Sequence, residues 1–334
     1  MLTAWTMAAA IVLSAPFAQQ AFSAIDRRWP SDSERIILAA TVVPASLALA
    51  AALWRIRENR WPRYALLALG LGIAYGYYRA MQPIFTETFH FIEYGILAVL
   101  FYRAWHGVGD WSVLALPLLA ASIAGAVDEW YQWFIPIRAG EIRDVGINCL
   151  AAGCGLLFAA GVWPPPLAPL RNGSPVRLGW WAGAALLVLA VFFHTVHMGH
   201  DVTDEEIGIF RSRFTRAELL DASRDRAVRW RRSPPLAQRR VSREDQYLSE
   251  GLWHVGRRDG FWEAGDPDRA WRENRILEKF YLPVLDSPTH ADPRGHRWPD
   301  AQREDAAGRL AADPPEPVVT TEFTYPLYTW TDLF

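Results

Sequence analysis

The chain predicts an all-α polytopic membrane helix bundle of six or seven transmembrane helices, followed by a mainly α C-terminal soluble domain. Three observations carry this reading. Residues 36–54, 145–163 and 178–199 contain no Asp, Glu, Lys or Arg. Each run approaches or exceeds the roughly 20 residues that cross a bilayer core. Beyond residue 200 no such run recurs, and charges and prolines dominate. The net charge of −2 averages over these two unlike parts and describes neither. The division expected is a transmembrane domain over 1–199 and a soluble domain over 200–334.

The elements follow in order. Residues 2–22 are apolar and lack a basic n-region, which predicts a retained first helix over a cleaved signal peptide. Further helices are expected at about 36–55, 64–83, 88–104, 111–131, 144–163 and 179–199. Gly72 and Gly76 form a small-xxx-small pair that would let helices approach closely. Residues 55–63 carry four Arg in a short connection, which places that loop in the cytoplasm. Counting outward puts the loops near 83–88 and 132–143, and everything after 200, on the external, periplasmic side. The proline-rich segment 164–177 cannot continue a helix. In the polar domain, Thr203-x-x-Glu206, Thr215-x-x-Glu218 and Ser242-x-x-Asp245 read as capping boxes. Asp266-Pro267 reads as an N-cap followed by N1 of a helix over 267–281. The tail 318–330 is β-branched and aromatic, suited to one or two strands. Cys149 and Cys154 fall on different faces of one helix, so a mutual disulfide is not expected.

Polar residues inside the apolar half carry the chemistry. On the 88–104 helix, His90, Glu93 and Tyr94 lie at i, i+3 and i+4. On the 111–131 helix, Gly125, Asp128, Glu129 and Gln132 make a stripe at i, i+3, i+4 and i+7. Asp144, Asn148 and Gly155 share one side of the 144–163 helix. Ionisable groups at membrane depth are costly unless they pair or face a cavity. The economical packing therefore turns all three stripes inward around one pocket, with Arg138 and Arg143 on the intervening loop covering it. Arg forks recognise phosphate or carboxylate, whereas clustered carboxylates beside a His move protons or hold a cation. The competing reading is that these groups simply neutralise one another and lock the bundle.

Three segments carry a resemblance: His90-Phe-Ile-Glu-Tyr94-Gly-Ile-Leu97, Asp128-Glu129-Trp-Tyr-Gln132 running on to Pro136-Ile-Arg138, and Asp144-Val-Gly-Ile-Asn148 with Gly155. In order and spacing they resemble the VanZ-like family, named for a membrane protein associated with teicoplanin resistance, over about residues 85–160. Ile137 and Ala151 stand where that family's pattern has glycines, and Thr86-Glu87 stands where it commonly has Asp-Lys. The resemblance implies shared architecture more firmly than glycopeptide resistance, and it implies no particular reaction. It marks His90, Tyr94, Asp128, Glu129, Gln132, Arg138, Asp144 and Asn148 as signature positions.

Three functions stay open. The first is a non-catalytic cell-envelope binder of an anionic lipid head group or a lipophilic glycopeptide-type molecule, held by His90, Glu93, Tyr94, Asp128, Glu129, Gln132, Arg138, Arg143, Asp144 and Asn148. The second is an intramembrane enzyme acting on a polyprenyl-linked or phospholipid substrate, with His90 as base or nucleophile, Asp128 or Glu129 orienting it, and Arg138 stabilising charge. The third is a structural partner that docks an envelope protein through 200–334. His194, His197 and His200 recur one turn apart, but an interfacial helix end explains them better than a metal site. His254, His290 and His296 receive no role. Trp253, Trp262, Trp271 and Trp330 read as core or interfacial residues before a binding surface. No cofactor and no nucleic-acid partner is expected: nucleotide-binding and hydrolase motifs are missing, and acidic residues intersperse the arginines.

Overall fold

The computed structural model describes residues 1–81, 88–135, 140–165, 174–232, 243–286, 295–309 and 326–333. The chain divides into two compact units, Met1–Gln132 with Gly140–Phe193, and Trp133–Ala139 with His194–Phe334.

The first unit is helical: α1 (Leu2–Arg28), α2 (Ser33–Arg55), α3 (Arg60–Met81), α4 (Thr88–Trp105), α5 (Ser112–Trp133), α6 (Ile142–Val162) and α7 (Ser174–His197), the last residues of α5 and α7 counting with the second unit. Among the described residues, four helices are long and apolar enough to cross a membrane: Arg35–Arg55, Ser112–Trp133, Ile142–Val162 and Ser174–His197. The bent pair Leu2–Ala18 and Gln20–Arg28, at 50° to each other, makes five if taken as one span. Arg60, Arg63 and Arg79 dilute the apolarity of α3, and His90, Glu93 and Arg103 that of α4. Arg103 is exposed and His90 and Glu93 are half-buried, while the apolar and phenolic residues of α4 form its packed face. Its Tyr94, Leu97, Ala98, Phe101 and Tyr102 are completely buried.

Small residues set the packing of this unit. Ala4, Ala8 and Ile11 of α1 meet the α4 core, and α5 and α6 contribute Ala120, Ala121, Ala124, Ala151, Ala152 and Ala159. Trp5 of α1 stacks on Trp181 of α7 at 6.1 Å and meets Phe101 edge-on at 5.0 Å. The closest approach joins α4 to α6. A Cβ added at Gly155 would lie 2.2 Å from the Gly95 carbonyl oxygen, so only glycine fits. Gly72 and Gly76, expected to serve as a contact pair, face open space instead; Gly70, against Cys154, and Gly161, against Arg63 and Leu67, make the contacts of α3 with α6. Cys149 and Cys154 are both free thiols. Arg63 donates from Nε to Gly161 O and from Nη2 to Val162 O, both at 2.7 Å. A cation thus satisfies the last carbonyls of α6, the negative end of its dipole.

The second unit opens with an antiparallel pair, β1 (His200–Asp204) and β2 (Gly208–Ser212), with Val202 opposite Phe210. Helices α8 (Arg216–Arg229), α9 (Arg243–Glu263), α10 (Pro267–Phe280), α11 (Leu282–Asp286), α12 (Asp300–Gly308) and α13 (Trp330–Leu333) follow. Its core gathers Val202, Phe210, Leu219, Tyr247, Ile276, Leu277, Phe280, Tyr281 and Val284. Two expected helix starts hold. Thr215 and Glu218 form a reciprocal capping box, and Asp266 caps α10 through Arg269 N with Pro267 at its start. Thr203 does not cap a helix: it pairs with Ile209 in the ladder, and Asp204 turns the chain by accepting from Glu206 N at 3.2 Å. β-branched Val202 and Thr203 suit a strand, and the burial of Val202 draws them into one. Ser242 and residues 310–325 lie outside the described residues, and with them most of the expected strand tail. Tyr328 forms an isolated parallel bridge with Met198.

Arg213 donates to Val196 O at 2.6 Å and to Thr195 O, and its guanidinium lies 4.6 Å from the centre of the Trp133 ring. His197 Nδ1 is 2.7 Å from Pro326 O, and His200 lies in β1. Among the described residues no group of three or more His, Cys, Asp or Glu side chains gathers as metal ligands would.

Candidate functional site

The polar stripes of α4, α5 and α6 come together at one end of the first unit. Gly125 is the hinge of their meeting. A Cβ there would lie 3.0 Å from Asn148 Cβ, 3.3 Å from Asn148 Nδ2 and 3.4 Å from Tyr94 Cε1. The missing side chain on α5 therefore leaves room for α4 and α6 to bring Tyr94 and Asn148 to the same place. One turn on, Tyr94 Oη donates to Asp128 Oδ2 at 2.9 Å. Gln132 Nε2 donates to the same oxygen at 3.1 Å and to Glu129 Oε1 at 3.2 Å. Two adjacent carboxylates are thus bridged by one carboxamide and tied to a phenol. His90 stacks on Tyr94 with ring centroids 6.1 Å apart. Asp128 is 2% exposed, and Glu129 and Asn148 are completely buried.

Asn148 is the exception within the cluster. Neither Oδ1 nor Nδ2 meets a hydrogen-bond partner among the described residues. A buried amide left this way costs about 1–3 kcal/mol. Its neighbours Tyr94, Asp128 and Gln132 each make a side-chain hydrogen bond within the cluster.

The other expected residues take different places. Glu93 is half-buried on α4. Asp144 sits in the first turn of α6, where a carboxylate suits the helix dipole, and Arg143 lies beside it at 3.4 Å with half its side chain exposed. Arg138, with Pro136 and Ile137, lies outside the described residues. His90, Tyr94, Gly125, Asp128, Glu129, Gln132 and Asn148 form the described site. It offers carboxylate and carboxamide acceptors, a carboxamide donor and an imidazole.

A second buried polar cluster went unanticipated. His254 Nδ1 on α9 lies 2.6 Å from Glu273 Oε2 on α10, and Arg257 Nε donates to Glu273 Oε1 at 3.0 Å. Tyr281 Oη donates to Glu250 Oε1 at 2.6 Å, and Glu250 Oε2 accepts from Arg213 N at 3.2 Å. Only the spacing of His254 and Arg257, one turn apart on α9, hinted at a shared partner, and the sequence gives no means of identifying Glu273 as that partner.

The VanZ/LLP1 family model matches residues 4–163, which takes in nearly all of α1 and the whole of α2 to α6. The second unit lies outside the match. No curated protein and no solved structure matches the chain.

Proposed function

We propose, from the match of residues 4–163 to the VanZ/LLP1 family model, that this VanZ-like membrane protein is a binder of the cell envelope. Its polar cluster would take the head group of a membrane lipid or of a lipophilic glycopeptide-type molecule. One observation carries this reading: both Oδ1 and Nδ2 of buried Asn148 meet no hydrogen-bond partner among the described residues. A head group bearing hydroxyl or amide groups would complete both. Asn148 and Glu129 are sealed from the surface, so occupation requires α5 and α6 to part at Gly125, where no side chain intervenes. Arg138 and Arg143 would hold the anionic portion, since Arg forks pair with phosphate or carboxylate.

In this reading α3 and α4 also span, giving seven rods. The Arg-rich turn after α2 faces the cytoplasm, which places the cluster and the C-terminal unit outside. That unit would dock an envelope protein. Teicoplanin resistance is the cellular trait to measure.

His90→Ala and Asp128→Asn separate the three functions in purified full-length protein. Binding predicts that both variants fold normally and lose a retained envelope lipid. Loss of folding in both would instead favour a bundle-locking role for the motif. Turnover of a polyprenyl-linked or phospholipid substrate that vanishes in His90→Ala would favour the enzyme.

A further inference from the structure

The end of the first unit opposite Asp128 is basic and aromatic. Hydrogen bonds assemble it: Arg63 of α3 on the last carbonyls of α6, Ser174 of α7 on Asp110 Oδ2 at 2.5 Å, and Arg177 on Ser112 Oγ at 2.9 Å. The turn between α2 and α3 protrudes from this end with the sequence Trp54-Arg55-Ile56-Arg57-Glu58-Asn59-Arg60-Trp61. Ile56 is buried with Ala52, Leu67 and Val162, which fixes the turn to the bundle. Everything around Ile56 points outward. Trp54 is 75% exposed and Trp61 84% exposed, and Arg55, Arg57 and Arg60 are exposed as well. None of the three arginines forms an ion pair among the described residues. Arg57 lies over the Trp54 ring at 5.6 Å, and Arg60 Nε donates to Arg57 O at 3.1 Å. Glu58 is the one acid in the turn.

Two exposed indoles flank three exposed arginines; the contacts of Arg57 on Trp54 and of Arg60 on Arg57 O stay within the turn, whereas Arg63 is the arginine that bonds to α6. Trp favours the boundary between head groups and acyl chains, and exposed arginine near an anionic leaflet gains from its surface potential. We propose that the α2–α3 turn is a binding site for an anionic phospholipid. Its arginines would take the phosphate, and Trp54 and Trp61 would lie against the glycerol and upper acyl chain. This site is separate from the polar cluster and does not depend on what that cluster binds.

The test is lipid retention by the full chain in detergent, read by native mass spectrometry with phosphatidylglycerol and phosphatidylcholine in competition. Each arginine near an anionic surface contributes about fivefold. Wild type should therefore prefer phosphatidylglycerol, and Arg57→Gln/Arg60→Gln should lose roughly tenfold or more of that preference. Arg79→Gln, at the far end of α3, should keep it. Equal retention of both lipids by wild type would overturn the proposal, as would a preference surviving in the double variant. Displacement of the lipid by inorganic phosphate alone would overturn the lipid assignment. Should the double variant fail to fold, Arg55→Gln alone supplies the same comparison, with a loss of about fivefold expected and an unchanged preference contradicting the site.

Discussion

Two buried asparagines show how differently the two units handle polar groups. Asn274, 2% exposed on α10, donates from Nδ2 to Glu278 Oε1 at 2.9 Å and accepts from Arg258 Nη1 at 3.4 Å. Asn148, fully buried on α6, has neither contact among the described residues. Several acids of the C-terminal unit repeat the first pattern. Asp204 meets Lys279 at 2.6 Å and Arg216 at 3.6 Å, and Glu278 meets Arg275 and Arg303. Glu273 meets His254 and Arg257. Pairing of these carboxylates is what a self-sufficient core requires, because buried charges without partners are strongly penalised. Under the proposed function, the open amide of Asn148 takes its partner from the bound ligand.

The sharpest way to break the membrane side of this contrast is Gly155→Ala. Its methyl would collide with the Gly95 carbonyl, backbone against backbone, separating α4 from α6 and scattering the cluster. The expected cost is about 3 kcal/mol or more, seen as loss of folded protein in detergent. A variant that folds with wild-type thermal stability would refute the close approach. On the other side, Glu273→Ala should destabilise the C-terminal unit by about 3–5 kcal/mol, because it strands a buried His254 and Arg257. Burial is the largest influence on the Glu273 carboxyl and pushes it up, but His254 and Arg257 together outweigh burial and hold it below its ordinary value of 4.5. A depressed folded value means that the stabilisation is complete above pH 4.5 and is lost as pH falls through the folded value. Acid unfolding followed by circular dichroism should therefore lose part of its steepness below pH 4.5 in Glu273→Gln.

Much of the membrane unit is legible in the sequence because helix periodicity alone aligns its polar side chains. Asp128, Glu129 and Gln132 fall on the stripe of Gly125 at i+3, i+4 and i+7 whatever the tertiary context, and Thr215 caps α8 through a contact three residues away. Contacts across elements were not legible. Arg63 reaches Gly161 and Val162 nearly a hundred residues on, and His254 finds Glu273 only because α9 and α10 pack antiparallel. The Gly72–Gly76 pair misled because spacing does not say which face of α3 meets a neighbour. Thr203 misled because a strand and a cap use the same short polar residue.

The smallest stability change carries the most information. Asn148→Leu and Asn274→Leu make the same substitution, similar in shape, at two buried sites, and thermal unfolding of the full chain reads both. Asn274→Leu should cost about 1–3 kcal/mol by unsatisfying Arg258 and Glu278. Asn148→Leu should leave stability unchanged or raise it, while retention of the bound envelope lipid falls. A loss at position 148 as large as that at 274, with lipid retention intact, would contradict a ligand site between α4, α5 and α6.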